Sequence, residues 1–511
     1  MDKFYTKLFT FLVFASLFIS EAFALSTNKE WLNLLHYQNG KSLISDRSFF
    51  LSPEGMFNPE DELKANIENL SKKEMLSCKF PARTLYLMQR YESFRPATDL
   101  KDCTSFQDYL NNLSAKEIYI VFATEKFNSP LSMMGHSFIK VVGERDDFHP
   151  THSLSFFANL GSFDNLLTFI PKAISTGMDG MYKLEPYSQR YNSYVNEDGR
   201  NLVSYNLELN AAEVERFIYH VWELKDINVS YNLKDHNCAS ALVTLLQVVK
   251  DDFSLVNDKS YITPSDIINK FIKNDLIQYD RTDLANGFDS YNVKASGSSR
   301  YGLYALHSND DFYLNFKYSL AYQDIMDLNF DNDHEFEVKL FSVDMNYTPN
   351  KLNLEKLTLF GTKYFNPASV SDFNWSTMFE VSFDNERFDI KDSSLKPYVS
   401  ISRGVTISIG DKKHLMPYFF LQASYHHNES KDLMISPRFG FISYLNDKNK
   451  IVLDVQSYKK AYEYKYSRKS DLKYSYYWSG NRSVNVVSSF IKGQGEQNSH
   501  KSIAIGFSQS F

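Results

Sequence analysis

The sequence is poor in cysteine, in net positive charge and in long apolar stretches, and each shortage excludes a class of protein. Only three cysteines occur among 511 residues. No Cys-x-x-Cys pair, no metal-ligand spacing and no Gly-rich phosphate loop is present, so we expect no metal and no cofactor. The net charge of −7 means that the chain has no excess of basic residues, so a nucleic-acid partner is not expected. No apolar stretch reaches the roughly twenty residues that a membrane-spanning helix needs.

The first 24 residues have the pattern of a secretory signal peptide. Lys3 and Lys7 precede an apolar run, residues 8–19, that is too short to span a bilayer. Ala22-Phe23-Ala24 fits a cleavage site, so the mature chain is predicted to begin at Leu25. An uncleaved anchor is the alternative. The pattern predicts an exported protein, for which disulfides are allowed.

The cysteines fall into two groups. Cys78 and Cys103 belong to one N-terminal stretch, whereas Cys238 stands far from both. The simplest prediction is one disulfide, Cys78–Cys103, with Cys238 as a free thiol; three unpaired thiols are the alternative. A thiol kept free in an oxidising compartment needs a function, and chemical reactivity is one.

Two folded segments are predicted before residue 291. Residues 25–112 are predicted to form a helical cap, in which Asn58 and Pro59 have the residue types that start a helix. Residues 113–290 mix strands, such as 117–122 and 136–142, with amphipathic helices, one of which begins at Cys238.

Residues 291–511 change to a period of two. In residues 312–322 and in the last strand, apolar side chains alternate with small or polar ones. About twelve such segments are typical of an antiparallel transmembrane β-barrel, with half of each strand facing a wet lumen. This interpretation accounts for the 34 Tyr and 42 Phe residues and for a mean hydropathy of −0.38. A soluble β-sandwich or lipocalin-like barrel is the alternative, and the signal peptide and terminal Phe511 favour the membrane barrel.

Cys238 and His136 are the candidate catalytic residues. The positive end of the helix dipole favours a thiolate at a helix start, which Asn237 or Asp235 would cap. His136 follows Gly135 at the start of a strand and is the candidate base. A structural cysteine and a core histidine are the alternatives, since neither residue type is specific by itself.

The third, orienting residue of the site is less well defined. His152 on the following strand is the candidate, and His236 and Ser153 are its rivals.

The segment that contains these residues resembles the Lnb family, a periplasmic domain also known as DUF4105. The most specific marks are Gly135-His136 and Asn237-Cys238, and the similarity covers roughly residues 30 to 250. Further matching segments are residues 129–138, 177–182, 200–207 and 220–224, together with 31–37, 49–51 and 78–83 of the cap.

The resemblance implies a papain-like, NlpC/P60-related fold in permuted order, with the histidine before the cysteine. It also implies N-acylation of lipoproteins: the thiol takes an acyl chain from a phospholipid or other acylated lipid and passes it to a lipoprotein N-terminus. Two features depart from the family pattern. Ala239 stands where relatives often have Ser, and a barrel replaces inner-membrane helices.

The whole chain is therefore predicted to be an α+β protein of the outer membrane with a periplasmic Cys-His domain. Its predicted function is thiol-dependent acyl transfer at the membrane surface through a Cys238 thioester. An NlpC/P60-like cysteine amidase or peptidase is one alternative. A non-enzymatic barrel that carries a binding domain is the other.

Overall fold

The computed structural model describes seventeen stretches of the chain, and the predicted signal peptide and Asp235 lie outside them. The described residues are 28–124, 135–144, 151–159, 172, 176–232, 236–253, 263–284, 297–309, 311–329, 334–349, 351–368, 374–384, 395–410, 414–427, 432–460, 466–492 and 499–511. They divide into two compact units, one of described residues up to 284 and one of those from 297 onward.

The first unit contains the α-helices of the described residues. They are α1 (Lys29–Leu34), α2 (Pro59–Lys72), α3 (Leu76–Lys79), α4 (Pro81–Arg90), α5 (Thr104–Leu113), α6 (Tyr187–Tyr191), α7 (Ala211–Glu223), α8 (Cys238–Gln247) and α9 (Pro264–Lys273). Short 3-10 turns lie at Arg47–Phe49, Leu100–Asp102 and Asp251–Phe253, and a π-helical turn spans Asn192–Glu197. Within the described part of the chain, no helix combines the length and apolarity needed to cross a membrane.

Helices α1 to α5 form the N-terminal helical region. The side chain of Asn58 accepts hydrogen bonds from the N–H groups of Glu60 and Asp61 and so starts α2. A disulfide joins Cys78 in α3 to Cys103 at the start of α5. The fully buried guanidinium of Arg83 lies 3.2 Å from carboxylate oxygens of both Glu62 and Glu223. Because Glu223 belongs to α7, these buried ion pairs connect the N-terminal helical region to the part of the first unit that contains the seven-stranded sheet.

A seven-stranded antiparallel sheet forms the centre of the first unit. Its strands are β3 (Ala115–Ala123), β4 (His136–Gly143), β5 (His152–Ala158), β6 (Met178–Pro186), β7 (Leu202–Asn206), β8 (Val229–Tyr231) and β9 (Gln278–Asp283), in the order β8-β6-β5-β4-β3-β7-β9. A separate small hairpin consists of β1 (Tyr37–Gln38) and β2 (Lys41–Ser42). Helix α8 packs against β4 and β5, so the first turn of that helix lies over the sheet.

The second unit is a closed antiparallel barrel of twelve strands. They are β10 (Arg300–Ser308), β11 (Asp311–Gln323), β12 (Glu335–Thr348), β13 (Lys351–Phe365), β14 (Ser376–Asp384), β15 (Lys396–Thr406), β16 (Leu415–His426), β17 (Asp432–Asn446), β18 (Asn449–Lys460), β19 (Tyr466–Ser479), β20 (Arg482–Lys492) and β21 (Ser499–Ser510). The barrel closes where β10 pairs with β21, as in Arg300 opposite Ser510.

The period-two pattern separates the two faces of the barrel wall. On β16, Phe419 and Leu421 are about half exposed on the outside, whereas Phe420 between them is fully buried on the inside. Phe312 and Ile505 likewise face outward. The predicted barrel of about twelve strands is therefore confirmed, as is the mixed α/β first unit with its helical N-terminal region. The NlpC/P60-like fold of the Cys-His domain stays a prediction.

Candidate active site around Cys238

The start of α8 fixes the position of Cys238. The side-chain oxygen of Asn237 accepts hydrogen bonds from the N–H groups of Ala239 and Ser240, at 2.9 and 3.1 Å. In return, the N–H of Asn237 donates to the Ser240 hydroxyl at 2.9 Å. This reciprocal cap makes Cys238 the first residue of the helix, where N–H groups without helical partners surround its side chain.

Burial is the main influence on the Cys238 thiol and raises its pKa to about 11. Hydrogen bonds from the backbone N–H groups of Ala239, of Cys238 itself and of Ser137 act in the opposite direction, as does the positive charge of Arg200. The predicted thiolate is therefore not the resting form at neutral pH. The helix start lowers the pKa of the thiol, but desolvation outweighs it.

The hydrogen bond from Ser137 shows how close the sulfur lies to β4. Ser137 directly follows His136, the first residue of β4. Tyr194 also lies near both candidates, because its ring centroid is 6.1 Å from that of His136 and its hydroxyl group interacts electrostatically with Cys238. The fold thus brings the strand that starts with His136 and the helix that starts with Cys238 together.

The glycine before His136 is required by the backbone. Gly135 has φ +73°, and a Cβ there would lie 2.6 Å from the Phe122 ring and 3.0 Å from the carbonyl oxygen of Ala123. Ala123 is also the residue that pairs with His136 across β3 and β4. A glycine at residue 135 therefore lets the chain enter β4 close against β3.

Aromatic rings surround the imidazole of His136. Its ring stacks on Phe157 with centroids 5.7 Å apart, and Phe138 lies at 6.4 Å. Its Nε2 atom is buried without a hydrogen-bond partner among the described residues. Burial, and then the charges of Arg200 and Arg190, lower the pKa of His136 to about 3. The imidazole is therefore neutral at pH 7, which is the form that accepts a proton.

Arg200 and Tyr194 are functional candidates that the sequence analysis did not single out. The buried Arg200 guanidinium lies 4.7 Å from the Tyr194 ring centroid and donates to the carbonyl oxygen of Ala123 at 3.0 Å. Its charge disfavours protonation of His136 and favours ionisation of Cys238. Arg200 begins one of the segments that resemble the Lnb family, but neither residue has a recognisable spacing with the cysteine, and the fold is what places both near the site.

The structure does not bring His152 to His136. His152 pairs with Val141, five residues along β4 from His136, which corresponds to roughly 17 Å along a strand. The residue of β5 that reaches the imidazole is Phe157. The prediction of His152 as the third member of the site is therefore corrected, because the antiparallel register places it at the other end of the strand pair.

The two rivals of His152 face other partners. Ser153 pairs with Lys140 on β4 and donates its hydroxyl group to the carbonyl oxygen of Glu185. Nδ1 of His236 lies 2.6 Å from the Ser230 carbonyl oxygen, and burial lowers the pKa of His236 to about 4. Within the described ranges, no group of three His, Cys, Asp or Glu side chains is placed to hold a metal ion.

Three segments of the chain match known families. Residues 105–274 match the family described as the Lnb N-terminal periplasmic domain. This part of the chain, called the Lnb domain below, is similar to that periplasmic domain family. Residues 23–90 match a Domain of unknown function (DUF7843), and residues 293–509 match another (DUF7840). A comparison with curated proteins returns no match.

Solved structures similar to the chain are β-barrels of outer-membrane type. The NanC porin is 11% identical, with a TM-score of 0.28, over 41% of this chain and 100% of its own. The KdgM porin is 13% identical, with a TM-score of 0.24, over 42% and 99%. The transport unit of the autotransporter AIDA-I from Escherichia coli is 11% identical, with a TM-score of 0.24, over 44% and 95%.

The domain match and the barrel together define where the protein resides. The closed barrel has an even number of strands and an apolar outer face, as outer-membrane barrels do. The Lnb domain is a periplasmic domain. The protein is thus an outer-membrane protein whose Lnb domain lies in the periplasm.

Proposed function

We propose that the Lnb domain is a thiol-dependent acyltransferase in which Cys238 carries the acyl group as a thioester. The observation that carries the proposal is the position of the Cys238 sulfur, which accepts a hydrogen bond from the N–H of the residue after His136. The same N–H groups that surround the sulfur are placed to stabilise an oxyanion that forms next to it. His136 is the proposed base and Arg200 its electrostatic partner.

The first step transfers an acyl chain from an ester to the protein. Nε2 of His136 takes the proton of the Cys238 thiol as the sulfur attacks the ester carbonyl carbon. The C–O bond to the alcohol breaks, and the imidazolium gives its proton to the departing alkoxide. The products are a thioester on Cys238 and a lipid that has lost one acyl chain. Because thiol and imidazole are both neutral at rest, the proton moves during the attack and not before it.

The second step passes the acyl chain to an amine. The amino group attacks the thioester carbonyl carbon, His136 accepts a proton from that nitrogen, and the C–S bond breaks. The sulfur then takes the proton back from His136, which leaves an amide and the original thiol. The free amino group of a lipoprotein N-terminus is the acceptor that we propose, since the barrel holds the protein in a membrane that contains lipid-anchored chains.

The surroundings of His136 favour an acyl chain over a polar peptide. Phe138, Phe157 and Tyr194 pack around the imidazole, so the rings next to the proposed base are aromatic, as suits the binding of an apolar chain. A cysteine amidase would use the same thiol and base but would need polar groups to bind a peptide. For this reason we rank acyl transfer above hydrolysis of peptidoglycan.

Mass spectrometry of the intact protein tests the proposal. Wild-type protein in detergent is incubated with phospholipid vesicles, and in parallel with peptidoglycan fragments, and is then examined for a hydroxylamine-sensitive mass increase of one acyl chain. We expect the adduct with phospholipid only, and its loss in Cys238→Ala. His136→Gln should slow its formation at least a hundredfold, within the usual contribution of a general base.

The matched control is His152→Ala, which removes a histidine from the same sheet but from the far end of the strand pair. This variant should form the adduct as the wild type does. Cleavage of peptidoglycan fragments without any lipid adduct would favour the amidase. An adduct that persists in Cys238→Ala would refute the assignment of the nucleophile.

A further inference from the structure

The described residues that follow β11 turn into the barrel lumen. Residues 324–329, here called the strap, connect the end of β11 toward the start of β12. The N–H of Asn329 donates to the Tyr444 hydroxyl at 2.9 Å, and Lys450 donates to the carbonyl oxygen of Asp327 at 2.7 Å. Tyr444 and Lys450 belong to β17 and β18, which stand on the opposite side of the twelve-stranded ring. The strap therefore crosses the lumen.

An apolar cluster holds one side of the strap. Ile325 and Met326 are 2% and 5% exposed and pack among lumen-facing side chains of five strands. These side chains are Phe365 on β13, Met378 on β14, Met416, Tyr418 and Phe420 on β16, Ile442 and Tyr444 on β17, and Val452 on β18. A water-filled channel would leave such side chains in contact with solvent, whereas here the strap covers them.

A polar latch holds the other side of the strap. The carboxylate of Asp327 pairs with Arg300 on β10 and accepts a hydrogen bond from the Tyr477 hydroxyl on β19 at 2.7 Å. Arg300 also donates to the hydroxyl oxygens of Ser483 on β20 and Ser508 on β21, at 3.0 and 2.8 Å. The Lys450 ammonium pairs with Glu335 on β12 at 2.7 Å. With the apolar cluster, the network that holds the strap includes side chains of ten of the twelve strands, of which β12, β20 and β21 join through Arg300 or Lys450 and not through the strap itself.

The strap lies at one end of the barrel and forms the floor of a chamber. Arg300 begins β10 and pairs with Ser510 near the end of β21, so both the entry and the exit of the chain lie at the strap end. A cavity of about 350 Å³ lies above the strap, lined by Ile325 and Met326 and by charged side chains such as Lys317 and Asp344.

We propose that the barrel is sealed by the strap and serves as a non-conducting anchor for the periplasmic domain, not as a pore for small solutes. The chamber is then a pocket closed at the strap end. This proposal does not depend on the acyl transfer proposed above, because it concerns the barrel alone.

Single-channel recording tests the seal. The full-length protein is reconstituted in planar lipid bilayers, and three variants are compared with it: Asp327→Ala, which removes the latch; a variant whose residues 325–328 are replaced by Gly-Ser-Gly-Ser; and Asp344→Ala. Asp344 is the matched control, because its partner is Lys317 in the chamber wall, at 3.1 Å, and not the strap. Resistance of each barrel to unfolding in SDS reports folding independently of conductance.

We expect the wild type and Asp344→Ala to give no stepwise current, and the Gly-Ser variant to give discrete openings. Asp327→Ala should give brief openings, because the apolar cluster still holds the strap. Stable conductance of the wild-type protein would overturn the proposal. So would a folded Gly-Ser variant that remains silent, since the seal would then lie elsewhere. If the Gly-Ser variant does not fold, the contrast between Asp327→Ala and Asp344→Ala decides.

Discussion

The Cys238 thiol should react slowly at neutral pH even though it stands at a helix N-terminus. Burial raises its pKa from the ordinary value of 9.0 to about 11. Two pKa units lower the thiolate fraction at pH 7 from roughly 1 in 100 to roughly 1 in 10,000. Because the thiolate is the species that reacts with iodoacetamide, we expect alkylation to be about a hundred times slower than for an ordinary thiol at this pH.

The rate of alkylation is measured between pH 7 and pH 12.5 by the mass of the intact protein. Cys78 and Cys103 are joined in a disulfide, so the adduct reports Cys238, and Cys238→Ala provides the unlabelled baseline. The rate should rise about tenfold with each pH unit until it levels off near the thiol pKa. Arg200→Met should move the inflection to higher pH, because it removes a cation that lowers the pKa of the thiol.

Arg200→Met should also raise the pKa of the base, His136. For the thiol a higher pKa means less charge at a given pH, whereas for the imidazole it means more. Arg200 lowers the pKa of His136, so Arg200→Met should raise that pKa toward its ordinary value. As the pH is lowered, acyl-enzyme formation should fall when His136 becomes protonated. In Arg200→Met this fall should occur at a higher pH than in the wild type. Arg200→Lys keeps a positive charge, so the pH at which its acyl-enzyme formation falls should lie between those of the wild type and Arg200→Met.

A rate that is already at its plateau below pH 8 would refute this reasoning. It would mean that the thiolate and a charged imidazole exist as a pair at rest. Restricted access of the reagent to the pocket lowers the rate by a similar factor at every pH and does not move the inflection. The position of the inflection, and not the absolute rate, is therefore the decisive measurement.

Two further predictions concern the first unit. Replacing Cys78 and Cys103 together by Ser should lower the free energy of unfolding of the first unit by about 3 kcal/mol, as expected for a disulfide that spans 25 residues. Denaturant titration followed by tryptophan fluorescence measures this free energy. A decrease of less than about 1 kcal/mol would contradict the prediction. Gly135→Ala should reduce acyl-enzyme formation at least tenfold, because its Cβ would meet the Phe122 ring. Gly40→Ala is the control, since Gly40 has a similar φ of +82° but open space around its Cα, and equal losses in both variants would count against the clash.

Several elements of the fold could be predicted because their signals are local. Asn58 and Asn237 begin helices through hydrogen bonds to N–H groups two and three residues away, so the start is encoded within one turn. The barrel strands reveal themselves by alternation, since every second side chain meets either lipid or lumen. Both patterns depend on neighbours in the chain and are visible without the fold.

The strap could not be predicted in the same way. Residues 324–329 read Asp-Ile-Met-Asp-Leu-Asn, three polar and three apolar residues in an order that carries no local signal for an inward turn. Its direction depends on partners such as Arg300, Tyr444 and Lys450, which lie up to 123 residues away in the chain. Since those partners converge only when the barrel closes, the inward turn is a tertiary property.

The candidate site shows the same division. The types and order of residues identified Cys238 and His136 as one thiol and one imidazole that belong to the same periplasmic domain. The pairing register decided that Phe157, and not His152, reaches the imidazole, because a shift of five residues along a strand moves a side chain by roughly 17 Å. Burial decided the charge state of both groups, since desolvation depends on everything packed around them. The sequence by itself determined which chemistry is available, and the tertiary structure decided which atoms meet and in which protonation state they do so.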